Sequence, residues 1–137
     1  MNKMTRVKNW EKQLKAAIEK HMKLPSQYGV SDCYLIADDA VFAVTGERMF
    51  PDVSYTTEQG AAKQLLQKGF ATVEDAFASK FSSVPPSLAQ RGDIGVIDDN
   101  GQICGGVFTA IGFAVRDEKK VMFVPVSRVK TAFKVGR

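Results

Sequence analysis

The sequence predicts an α+β fold, with N-terminal helices packed on a C-terminal antiparallel sheet or small open barrel. Two observations carry this. Residues 1–84 place apolar side chains at helical spacing between caps and stops, whereas residues 85–137 run in β-branched and aromatic stretches divided by turn chemistry. Neither a linker nor an internal repeat interrupts the chain, so 1–137 reads as a single domain with a helical half, 1–84, and a β half, 85–137. A chain of 137 residues can bury roughly two-thirds of its unfolded surface without metal or disulfide staples.

Asn9 to Lys23 carries Trp10, Leu14, Ala17, Ile18 and Met22 on one side and lysines on the other, an amphipathic helix that Pro25 ends. After a loop containing Gly29, Ser31 or Asp32 is placed to cap a second helix. That helix runs through Cys33, Ile36, Ala37, Ala40, Val41 and Val44 and closes at Gly46. It is the most apolar helix in the sequence and is predicted to be central. Thr56 and Gln59 have capping-box spacing for a third helix, Glu58 to Lys68, stopped by Gly69; Thr72 caps a fourth, Val73 to Lys80. Beyond Pro85-Pro86, turn signals at Asp99-Asn100-Gly101, Arg116 to Lys119 and Pro125 divide four or five strands of a hairpin meander.

Composition excludes several function classes. Hydrophobic residues at 45% and charged residues at 25% argue against disorder. The net charge of +4 is spread between the first helix and the last strands, and no zinc-finger, basic-zipper or RNA-reading motif is present, so specific nucleic-acid recognition is not expected. No run approaches the ~18 apolar residues of a membrane span, and Met1 to Trp10 is polar and basic, unlike a signal peptide. The two cysteines, Cys33 and Cys104, have neither the number nor the spacing of a disulfide framework or a zinc site. No cofactor and no metal are implied.

Cys33 is the first candidate for chemistry. A thiol in the first turn of a helix faces unpaired N–H groups, which lower its pKa and favour the nucleophilic thiolate. A small residue packing in an apolar helix explains the position equally. Asp32 would orient a base in an enzyme and would serve as an N-cap in any protein. His21, the one histidine, falls in the last turn of the first helix, as a cation at the dipole's negative end, a core-edge residue or a base. The Arg91-Gly92-Asp93 tripeptide reads as a turn that opens a strand. Asp38-Asp39 lies inside the second helix and Asp98-Asp99 at a hairpin tip, neither with partners for a metal site.

"YGVSDC" followed by "ADDAVFAVTG", and later "RGDIGVI" followed by "CGGVFTAIG", resemble the NlpC-type cell-wall cysteine peptidases. In that family an aromatic-Gly-x-x-Asp-Cys segment starts the central helix, a Gly-Asp turn opens the sheet, and the next strand carries the catalytic histidine. Nearly the whole chain, from Trp10 to about Phe133, is similar to a small family found in tailed phages and prophages. The shared marks include the "ADDAVFAVTG" helix ending Thr-Gly, "YTTEQGAAKQLL" and "QRGD". The resemblance implies a papain-like NlpC-type fold with Cys33 as candidate nucleophile.

Aligned on the peptidase motif, Cys104 stands where the general base belongs, and the last 116 residues contain no histidine. A thiol cannot both take the nucleophile's proton and return one to the leaving amine. His21 would rescue catalysis only by folding beside Cys33. The same alignment implies that Cys33 and Cys104 face each other across the former groove, able to form a disulfide outside the cytosol; the alternative is two core thiols that never meet chemistry. The resemblance thus implies a phage or prophage tail structural or assembly protein with a degenerate peptidase fold. It would be made in the host cytoplasm, carried in the virion tail, and partnered by tail hub or tip proteins. The alternative is an active cysteine peptidase or amidase that cleaves peptidoglycan stem peptides as the genome enters the cell. A third reading, a cytosolic binding module using the basic helix face, rests only on mild charge.

Overall fold

A computed structural model describes residues 4–137; Met1 to Lys3, the start of the polar N-terminal segment and of the 1–137 domain expectation, lie outside the described residues. The architecture is α+β, four helices followed by an antiparallel six-stranded sheet, with its first short strand at the junction. Helix α1, Trp10–Lys23, buries Leu14, Ile18 and His21 and turns its lysines outward. Its chain straightens at Leu24, before Pro25, as proline requires of the residue ahead of it.

Helix α2, Leu35–Thr45, is buried on most sides: Ile36, Ala37, Ala40, Val41 and Val44 have no exposed surface. Gly46 ends it in the left-handed conformation, at φ +80°, where a Cβ would be strained. Helix α3, Glu58–Gln67, has no buried residue, and helix α4, Val73–Lys80, sinks Val73, Ala76 and Phe77. The cap of α3 is Thr57, not Thr56. The extended backbone of Thr57 aims its hydroxyl at the Gly60 amide, 2.9 Å away, a contact out of register for the residue before it. Thr72 occupies the N-cap position of α4 without a side-chain cap bond; Asp75 instead reaches back to the Ala71 amide.

Six strands, not four or five, build the sheet: β1 (Ser83–Val84), β2 (Ile94–Asp99), β3 (Gln102–Thr109), β4 (Gly112–Arg116), β5 (Val121–Val124) and β6 (Val129–Phe133). Strands β2 to β5 follow one another in hairpins, but the spatial order is β1-β6-β2-β3-β4-β5. The meander expectation fails at β6. Instead of pairing with β5, this strand crosses back to cover the outer side of β2, whose Ile94, Val96 and Ile97 are buried and cannot be left at an edge. Two-residue β1 then extends β6 from within the stretch assigned to helices.

The sheet separates two clusters. Ile94, Val96, Val107, Ala114 and Phe133 pack with the helices, while Ile97, Phe108, Phe113, Val115, Val129 and Ala132 form a second core on the opposite face. Arg116 ties the halves together: its guanidinium donates to the carbonyls of His21 at 2.8 Å and Leu24 at 2.7 Å. Those carbonyls belong to the end of α1, which lacks intrahelical partners, so β4 caps α1 and holds it beside α2. Among the described residues no helix is long and apolar enough to cross a membrane.

Candidate functional site

Cys33 lies in the turn that leads into α2, one residue after Asp32. The Asp32 carboxylate organises that turn. Its Oδ1 accepts from the amides of Tyr34 at 3.0 Å and Leu35 at 2.8 Å, and its Oδ2 accepts from the Gly29 amide at 3.1 Å and the Tyr55 hydroxyl at 2.9 Å. The Asp32 carbonyl also takes the Ile36 amide, so Asp32 is the working cap although regular helix begins at Leu35. This reverses the expected activation of Cys33. The free N–H groups that would stabilise a thiolate already serve a carboxylate, and that carboxylate repels a second negative charge.

Cys104 lies on β3 opposite Ile97 of β2, and its side chain packs at the margin of the second core. The β3–β4 ladder ends at the Gly106–Val115 pair, leaving Cys104 and Gly105 without partners on β4. The Cys33 turn lies against this stretch. A Cβ on Gly105 would stand 2.6 Å from the Cys33 carbonyl oxygen and 2.9 Å from the Phe77 ring, so the absent side chain lets the two main chains abut. The Gly105 amide donates to the Cys33 sulfur, and the Cys33 thiol is hydrogen-bonded to Cys104. Both cysteines are free and partly exposed.

The hydrogen bond to Cys104, then burial, then the charges of Cys104 and Asp32 push the Cys33 thiol well up, against the smaller pull of the Gly105 amide. The same hydrogen bond pulls Cys104 down, opposed by burial and by Asp99. Of the two, Cys104 is therefore the thiol that gives up its proton more readily.

His21 has other partners. Fully buried, it places Nδ1 2.6 Å from Ser31 Oγ and Nε2 2.7 Å from Asp39 Oδ2, so both ring nitrogens are occupied away from the thiol. Asp39 also accepts from Lys20 and Arg48, and Arg48 bridges to Asp38, whose other oxygen takes the Met49 amide. The Asp38-Asp39 pair is thus a buried charge cluster between α1, α2 and the loop after α2. Asp93, read in sequence as a turn residue, is a second such cluster: wholly buried, it accepts from Arg6, Arg137, and the amides of Gln90 and Val135. Neither cluster is visible in spacing, because the partners are brought together only by the fold.

Among the described residues, two cavities stand out in the helical half. The larger, about 370 Å³, is polar and bordered by Lys20, Tyr34, Asp38, Asp39, Arg48 and Tyr55; the smaller, about 50 Å³, is apolar, between Phe50, Leu65, Phe70 and Val73. Neither is lined by Cys33 or Cys104.

Fold and site together define an α+β protein in which the turn before the central helix brings one cysteine beside a second on the sheet. The profile of the family described as a domain of unknown function (DUF6950) matches residues 5–135, and the chain belongs to that family. No curated protein and no solved structure matches it.

Proposed function

We propose that this chain is a papain-like, NlpC-type scaffold that has lost peptide hydrolysis and serves as a structural or assembly component of a phage or prophage tail, docked on hub or tip proteins. One observation carries the loss of hydrolysis: the group hydrogen-bonded to Cys33 is the thiol of Cys104, while the sole imidazole is engaged by Ser31 and Asp39. Hydrolysis of an amide by a thiol needs a base that removes the S–H proton and an acid that protonates the departing nitrogen. Losing that group costs about two to four orders of magnitude. Here the nucleophile is also held in its protonated form by a hydrogen bond and by Asp32, which deepens the loss. The resemblance to phage and prophage proteins supplies the context: synthesis in the host cytoplasm and a final place in the virion tail.

The test is complementation of a phage lacking this gene, with tails counted by electron microscopy, beside an assay of muropeptide release from purified peptidoglycan. Wild type and Cys33→Ala are expected to restore tails equally and to release no soluble muropeptides. Release by wild type, lost in Cys33→Ala, would overturn the proposal and establish the peptidoglycan-cleaving alternative; full tails without the gene would remove the assembly role.

A further inference from the structure

The thiol pair has a chemistry of its own. Two cysteines from distant parts of the chain, the turn before α2 and strand β3, are brought together where the main chain at Gly105 abuts the Cys33 carbonyl, and both remain free and partly exposed. A core that needed only small apolar residues here would have no reason to oppose two sulfurs. The main chains beside them are pressed together by the missing Gly105 side chain, and the Gly105 amide fixes the Cys33 sulfur from the side.

We propose that Cys33 and Cys104 form a reversible dithiol–disulfide site that reacts with low-molecular-weight disulfides such as glutathione disulfide, with Cys104 as the attacking sulfur and Cys33 as the sulfur that closes the bridge. The roles follow from the surroundings. Cys33 directly follows Asp32, whose carboxylate takes the Tyr34 and Leu35 amides and disfavours a second negative charge, whereas Cys104 stands on β3 beyond the end of the β3–β4 ladder and is the thiol shifted down. The thiolate, not the thiol, attacks disulfides. In the first step the Cys104 thiolate attacks one sulfur of glutathione disulfide; the S–S bond breaks, and one glutathione leaves as a thiolate that takes a proton from water. Cys33 then loses its proton to solvent and attacks the Cys104 sulfur, expelling the second glutathione. Two protein thiols are oxidised to one disulfide, and one glutathione disulfide is reduced to two thiols.

This inference uses the same contact as the proposed loss of hydrolysis but a different assay, so either can fail alone. Native protein is exposed to limiting iodoacetamide and mapped by mass spectrometry, then equilibrated with glutathione disulfide and mapped again without reduction. Cys104 is expected to be alkylated about tenfold faster than Cys33. Equilibration should leave an intramolecular Cys33–Cys104 disulfide that dithiothreitol reverses. In Cys33→Ser, glutathione should remain trapped on Cys104; in Cys104→Ser, Cys33 should be modified about tenfold more slowly. Wild-type thiols that stay fully alkylatable after equilibration would overturn the site, and faster alkylation of Cys33 in the wild type would overturn the assignment of roles. Both readings on wild-type protein hold even if a serine variant fails to fold.

Discussion

His21 Nε2 and Asp39 Oδ2 stand 2.7 Å apart inside the protein, joining the last turn of α1 to the middle of α2. Burial opposes the charge on Asp39, but hydrogen bonds from His21, Lys20 and Arg48 outweigh it and hold the carboxyl well below the usual carboxylate range. Lys20 and Arg48 are partly solvated, so the buried contact with His21 contributes most. Asp39→Asn should therefore lower stability by about 2–3 kcal/mol at neutral pH. A depressed carboxylate stabilises the folded state above its unfolded pKa, about 3.9, and loses that contribution as pH falls through the folded value. Urea unfolding of the two proteins should show a constant gap from neutrality to about pH 5 that narrows below about pH 4. A gap of the same size at every pH would separate Asp39 from this role.

Gly105 is required by close approach, not by backbone conformation. Its added Cβ would press on the Cys33 carbonyl, which belongs to backbone and cannot swing aside, as well as on Phe77. Gly105→Ala should cost about 1–3 kcal/mol in thermal unfolding. It should also part the two thiols and slow formation of the Cys33–Cys104 disulfide; a variant that melts and oxidises like the wild type would show that the strand yields freely.

Much of this was legible in the sequence where the signal is local. The period of apolar residues and the stops at Pro25, Gly46 and Gly69 place α1 to α4 within a residue or two, and Asn100-Gly101 marks the first hairpin, with both residues at positive φ. Strand order was not legible. Nothing in Val129 to Phe133 says which neighbour it chooses; that is decided by the bare apolar side of β2. At the site, Asp32 and Cys33 stand out because they precede an apolar helix, and the Cys104 pairing came through family resemblance. The charge clusters escaped, since Arg48 and His21 lie 9 and 18 residues from Asp39 and meet it only after folding.

Asp93 joins both ends of the described chain. Its Oδ1 accepts from Arg6 at 3.0 Å and from the Val135 amide at 3.0 Å, while Oδ2 takes Arg137 and the Gln90 amide. With the carboxylate wholly buried, Asp93→Ala leaves the largely buried Arg6 guanidinium short of its counter-charge. The expected loss is about 3 kcal/mol. Hydrogen exchange at the Val135 amide should accelerate ahead of exchange in β3, because its acceptor is gone while the β2–β3 ladder stays intact. Protection at Val135 equal to the wild type would show that the termini are held by packing alone.

Asp32 holds the turn and suppresses the thiol beside it, and Asp32→Asn separates these effects. An asparagine oxygen in the Oδ1 position still caps Tyr34 and Leu35. Its amide nitrogen then faces another donor in the Gly29 amide, while the Tyr55 hydroxyl can turn to accept, so stability should fall by about 1 kcal/mol. Removing the negative charge relieves the repulsion that helps keep Cys33 protonated, and the dipole of α2 is no longer cancelled. In a Cys104→Ser background, where Cys33 is the sole thiol, Asp32→Asn should raise the rate of reaction with an aromatic disulfide reagent at pH 7 by about threefold to tenfold. In strongly alkaline solution, where the thiolate forms in both proteins, the two rates should converge. A neutral-pH rate unchanged by the substitution would mean that the carboxylate shapes the turn without governing the sulfur, and a rate that differs equally at both pH values would assign the effect to access instead of charge.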